Sequence, residues 1–115
     1  MLLVCYEKCG TCRKARKWLG EHGIAYEARD IKLQPPTLEE LRLWQRISAL
    51  PVRKMFNTSG QAYRLMNLKE KLKEMGEEEM LALLASDGML VKRPILVDEE
   101  TALFGFDEEK YEALA

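Results

Sequence analysis

Long apolar runs, an excess of either charge, a histidine cluster and an even set of cysteines are all missing from this 115-residue chain. No apolar stretch approaches the ~18 residues of a membrane-spanning helix. The start, Met1-Leu2-Leu3-Val4-Cys5-Tyr6-Glu7-Lys8, meets charge too soon for a secretory leader. A cytoplasmic protein with no membrane partner is expected. Lysine and arginine number 18 against 19 acidic residues, a net charge of −1, so nothing pulls the chain toward nucleic acid. A tetrahedral zinc site wants four Cys or His ligands, and beyond the Cys9/Cys12 pair only Cys5 and the lone His22 remain, so redox chemistry is expected instead. No metal and no bound cofactor are expected. An odd cysteine count in a reducing compartment also excludes a disulfide framework.

What is present suits one globular domain over residues 1–115, because 47% hydrophobic residues are enough for a single core at this length. Leu2 to Tyr6 reads as a buried strand, followed by a helix-period segment from about Thr11 to Glu21 with Ala15, Trp18 and Leu19 on its apolar face. Gly23 stops that helix, and Ile24 to Ile31 reads as a second strand, parallel to the first by the right-handed crossover. After Pro35-Pro36, Thr37-Leu38-Glu39-Glu40 is a capping box for a helix ending near Ala49, with Leu41 and Trp44 turned to the core. Asn57-Thr58-Ser59-Gly60 marks a turn before a short helix around Ala62 to Met66. Thr58 and Ser59 are read chiefly as caps for that helix, and Asn67 as the cap of another over Leu68 to Met75. Glu77 to Ser86 is a further helix, opened by its solvated acidic run. Ile95 to Val97 and Thr101 to Phe104 form a hairpin, and Asp107 caps a closing helix through Leu114. The order is β-α-β, a helical block at about 37–86, then β-β-α: a thioredoxin-like α/β fold with a mixed four-stranded sheet.

The chemistry concentrates in Cys9-Gly10-Thr11-Cys12, where the first strand hands over to the first helix. Cys9 falls at or just before the helix N-terminus, whose partial positive charge favours a thiolate; Lys8 and Arg13 add charge nearby. Cys12 lies one turn on and is placed to resolve a mixed disulfide formed at Cys9. Cys9 is expected to be the nucleophile with the lower pKa, and the pair to form a reversible disulfide. Cys5, inside a strand, is assigned to core packing, and His22 to an exposed helix end.

The run Cys9-Gly-Thr-Cys-Arg-Lys-Ala-Arg, the helical block, Asn57-Thr-Ser-Gly and Lys92-Arg93-Pro94-Ile95 together resemble the arsenate reductase and Spx family over almost the whole chain. The resemblance implies that Cys9 occupies the arsenate nucleophile's position and Cys12 that of the Spx-like switch cysteine. It implies a cis Pro94 against the active cysteine, and an Arg93 guanidinium facing the Cys9 thiolate or an oxyanion. Gly10, Thr11 and Ser59 complete the expected substrate-binding set. The chain departs from the arsenate reductases where three arginines surround the oxyanion: only Arg93 is present, the others falling on Ser59 and near Phe106.

Three functions follow. The first is a monomeric thiol-disulfide oxidoreductase, Cys9 attacking and Cys12 resolving, reduced by glutathione, glutaredoxin or thioredoxin. The second is an Spx-like, redox-switched regulator that binds the RNA polymerase alpha subunit. Against it, Ile47-Ser48-Ala49-Leu50-Pro51 lacks the glycine that Spx carries in that region. The third is arsenate reduction with glutathione or glutaredoxin, weakened by the absent arginines.

Overall fold

The computed structural model describes residues 1–114. Four short strands form one sheet in the order β2-β1-β3-β4: β1 Leu2–Cys5, β2 Glu27–Asp30, β3 Ile95–Val97 and β4 Ala102–Phe104. β1 pairs parallel with β2 and antiparallel with β3, and β3 pairs antiparallel with β4. The crossover between the parallel strands is α1, Gly10–Glu21. This is the expected thioredoxin-like arrangement.

Successive side chains of a strand point to opposite faces, and β1 uses both. Leu3 and Cys5 join Leu96 of β3 on the face covered by α1, where Cys12, Ala15, Trp18 and Leu19 pack down. The closing helix α6, Glu108–Glu112, lies on the same face and contributes Tyr111. Val4, Ile95 and Val97 point the other way, into a larger core with Leu41, Trp44, Phe56, Leu81 and Leu84 of the helical block.

That block comprises α2 Leu38–Ser48, α3 Gln61–Leu65, α4 Leu68–Lys71 and α5 Glu77–Ser86. The Thr37 hydroxyl accepts from the Glu40 amide at 3.1 Å and the Glu40 carboxylate from the Thr37 amide at 3.0 Å, the reciprocal capping box read from sequence. Glu40 also takes two charge-assisted hydrogen bonds from the Arg29 guanidinium, at 2.7 and 2.8 Å, tying α2 to β2.

Some boundaries differ. β2 begins at Glu27 rather than Ile24, because its neighbour β1 offers only four residues to pair, from Leu2 with Glu27 to Cys5 with Asp30. The helix expected over Leu68 to Met75 is α4 followed by a 3-10 turn, Leu72–Glu74. Asn67 makes no side-chain cap: its φ of 52° is left-handed, whereas a capping side chain needs an extended backbone. Gly60 occupies the N-cap of α3, and the Ser59 hydroxyl donates to the Asn57 side-chain oxygen at 3.1 Å instead of capping. Asp107 does cap α6, accepting from the Glu109 amide at 3.1 Å, and the helix stops at Glu112.

Two backbone approaches that no sequence period reveals place the site. Phe56 and Val91 form an antiparallel bridge, with Asn57 N–H on Leu90 C=O and Lys92 N–H on Met55 C=O, both at 2.8 Å. It folds the Asn57–Gly60 turn beside Lys92 and Arg93. Gly88 lies so close to the Ile31 carbonyl that a Cβ there would meet it at 2.1 Å.

Candidate functional site

Cys9 is the N-cap of α1, with φ −91° and ψ 122°. No acidic side chain sits in the first turn, so the exposed amides of Thr11 and Cys12 are left to the Cys9 sulfur. Among the described cysteines Cys9 alone is partly exposed and lines a cleft of about 680 Å³; Cys5 and Cys12 are buried. Thr11, Ser59 and Arg93 line the same cleft, as do Lys92, Phe106 and Lys110.

Partial burial works against a Cys9 thiolate, but hydrogen bonds from the amide and thiol of Cys12 and the amide of Thr11, together with the Arg93 charge, outweigh it. The Cys9 pKa is lowered from its ordinary value. Cys12 moves the opposite way: its bond to the Cys5 thiol and its burial hold it protonated, despite the Tyr6 amide donating to its sulfur at 3.2 Å. A low-pKa thiol at the surface above a protonated thiol in the core is the asymmetry that attack followed by resolution requires.

Arg93 precedes Pro94, and the bond between them is cis. The guanidinium lies 5.3 Å from the centroid of the Tyr6 ring, and one of its terminal nitrogens donates to the Met89 carbonyl at 3.4 Å. Its Nε is buried with no protein partner. Arg93 is therefore a half-buried cation held in the cleft rather than a solvated strand-edge charge.

Several expectations need correction here. Lys8 and Arg13 are exposed and do not line the cleft; the charge acting on Cys9 is that of Arg93. The cleft is less poor in cations than arginine counting implied, because Lys92 and Lys110 reach it. Arg53 belongs to a neighbouring hollow of about 540 Å³. His22 is exposed at the end of α1 and stacks on Trp18, with ring centroids 3.8 Å apart. Cys5 is buried in the core as expected, and it packs there with Cys12. The signal was available: strand alternation puts Cys5 with Leu3 toward α1, and Cys12 precedes Ala15 by three on the inward face of that helix.

A four-stranded sheet crossed by α1, a Cys-X-X-Cys pair at the start of that helix and a cis proline before β3 define a thioredoxin-like protein built for thiol chemistry. Within that class the chain belongs to the ArsC family, whose sequence model matches residues 5–114. It is 55% identical over 107 residues to the uncharacterized protein YusI of Bacillus subtilis, covering 93% of this chain and 91% of that one. It is 35% identical over 101 residues to the global transcriptional regulator Spx 2 of Oceanobacillus iheyensis, covering 88% and 73% of the two chains. The crystal structure of an ArsC family related protein from Bacteroides fragilis superposes with a TM-score of 0.97 at 50% identity, over 99% of this chain and 96% of that one.

Proposed function

We propose that the protein is a thiol-disulfide oxidoreductase in which Cys9 attacks and Cys12 resolves. The observation that carries this reading is the single partly exposed thiol, Cys9, at the N-cap of α1 and in one cleft with Arg93, with Cys12 buried one turn on. The Cys9 thiolate attacks one sulfur of a substrate disulfide and releases the other half as a thiolate. Cys12 then loses its proton and attacks the Cys9 sulfur, expelling the second half and leaving a Cys9–Cys12 disulfide. Two electrons have passed from the protein to the substrate. A thiol reductant, glutathione or a glutaredoxin or thioredoxin, returns them.

Reduction of hydroxyethyl disulfide in the presence of glutathione tests the scheme. Activity is lost in Cys9→Ser and retained in part in Cys12→Ser, where external thiol must do the resolving. Full activity in Cys9→Ser contradicts the proposal.

The likeness to the regulator Spx 2 supports a second reading, in which the same disulfide alters a surface that binds the RNA polymerase alpha subunit. Its test is binding of purified alpha subunit to the reduced and the oxidised protein.

A further inference from the structure

Cys12 does not face Cys9 alone. The Cys5 and Cys12 side chains pack together between β1 and α1, and Cys9, which lines the cleft, packs against the same cluster. The amide that joins Cys5 to Tyr6 donates to the Cys12 sulfur at 3.2 Å, which fixes that sulfur against the backbone of Cys5 itself. All three residues belong to one packed cluster with Leu96, Trp18 and Tyr111. Thiol-disulfide exchange passes a disulfide from one thiol to another through one shared, central sulfur. Here the central sulfur is that of Cys12.

We propose that Cys5 is a third redox thiol, which takes over the disulfide from Cys9 by internal exchange at the Cys12 sulfur. The proposal rests on the oxidoreductase reading above and extends it by one step. In that step the Cys5 thiolate attacks the Cys12 sulfur of the Cys9–Cys12 disulfide. The Cys9–Cys12 bond breaks, a Cys5–Cys12 bond forms, and the proton lost by Cys5 is matched by one that Cys9 can take up. No electrons enter or leave, so no further oxidant or reductant is involved. The product carries its disulfide in the core and a free Cys9 at the surface.

Two further features of the cluster suit this step. Tyr111 is fully buried, and its hydroxyl has no hydrogen-bond partner. It packs in the same cluster as the Cys5 and Cys12 side chains, a buried donor without an acceptor. With Cys12 in the disulfide and no longer a donor, Arg16 is the positive charge that favours the Cys5 thiolate, against burial and Asp30.

Trypsin separates the two candidate products by chemistry built into the sequence. Cleavage after Lys8 and Arg13 leaves Cys9 and Cys12 on one peptide and Cys5 on another. The fully reduced wild-type protein is oxidised with one equivalent of hydroxyethyl disulfide, quenched in acid, alkylated with N-ethylmaleimide, digested and mapped by mass. The expected result is a cross-linked peptide pair joined through Cys5 and Cys12 with the label on Cys9, beside a loop-linked peptide holding Cys9–Cys12. In Cys5→Ala and Cys5→Ser the cross-linked pair is lost and the loop-linked peptide remains. In Cys9→Ser, diamide produces the Cys5–Cys12 pair directly. A wild-type protein that yields only the loop-linked peptide, with no disulfide-bearing species labelled at Cys9, overturns the proposal and leaves the oxidoreductase reading intact. Absence of the loop-linked peptide from the Cys5 variants, with near-UV circular dichroism unchanged, overturns the oxidoreductase reading instead.

Discussion

At the scale of single residues, function turns on how differently three identical thiols are treated. Cys9 has first-turn amides and the Arg93 charge to hold a thiolate, whereas Cys12 is bonded to other thiols and shut away from water. Replacing Arg93 by Ala therefore raises the Cys9 pKa, moving the alkylation-rate profile to higher pH and slowing the reaction at neutral pH. Iodoacetamide rates measured against pH in a Cys12→Ser background check this, and an unmoved profile would show that the helix terminus alone sets the acidity. The placing of Cys9 at the helix start and of Cys12 one turn inside it was legible in the sequence, because a Cys-X-X-Cys at a strand-to-helix junction constrains both positions. The charge beside Cys9 was legible only through the family resemblance, which put Arg93 at the thiolate; Lys8 and Arg13, near in sequence, do not line the cleft. Nearness along the chain is a poor guide where the sheet order places β3 beside β1.

At the scale of elements, strong periodic and capping signals gave correct readings, while single capping residues were mixed: Asp107 caps α6 as read, and Asn67 and Ser59 do not cap. The α2 capping box and the α5 span, Glu77–Ser86, stand as read, since several residues agree at each. Asn67 and Ser59 misled because a polar residue before a short helix is only one signal, and the local backbone overrode it. The Arg29–Glu40 pair was not legible, because it joins a strand and a helix. The Glu40 pKa is lowered, first by its bonds to Arg29, then against burial, with the Thr37 amide assisting. A depressed carboxyl pKa contributes stability that is fully present above the usual carboxylate value of ~4.3 and is lost as pH falls through the depressed folded value. Glu40→Gln should cost about 1–2 kcal/mol at neutral pH, a range reduced for partial exposure. It should also flatten the loss of stability below pH ~4. Urea unfolding of both proteins across pH measures the difference; parallel curves would mean that the pair contributes nothing to acid sensitivity.

For the whole molecule, the thioredoxin-like order was readable from the alternation of element types; the grouping of Cys9, Ser59 and Arg93 came only through the family resemblance, and the Phe56–Val91 bridge is the contact that brings the Asn57–Gly60 turn to that cleft. That cleft bears on arsenate. Ser59 and Phe106 line its wall, at and near the positions where the resemblance to the arsenate reductases implies arginines, and Lys92 and Lys110 supply point charges in place of planar, bidentate forks. Two lost charge-assisted contacts of ~1.5–3 kcal/mol each correspond to a rate deficit on the order of a hundred- to ten-thousand-fold. Arsenate turnover in a glutaredoxin-coupled assay is accordingly expected to be weak or absent while disulfide reduction proceeds; robust turnover would mean that the lysines substitute. The central claim, attack by Cys9 and resolution by Cys12, is tested most directly by what Cys12→Ser holds on to. Passed through cell extract and captured without reductant, this variant should carry a partner, protein or small thiol, in mixed disulfide with Cys9, released by dithiothreitol and absent from a Cys9→Ser, Cys12→Ser double variant. Recovery of Cys12→Ser with Cys9 wholly free, or of the same adduct from the double variant, would contradict the account.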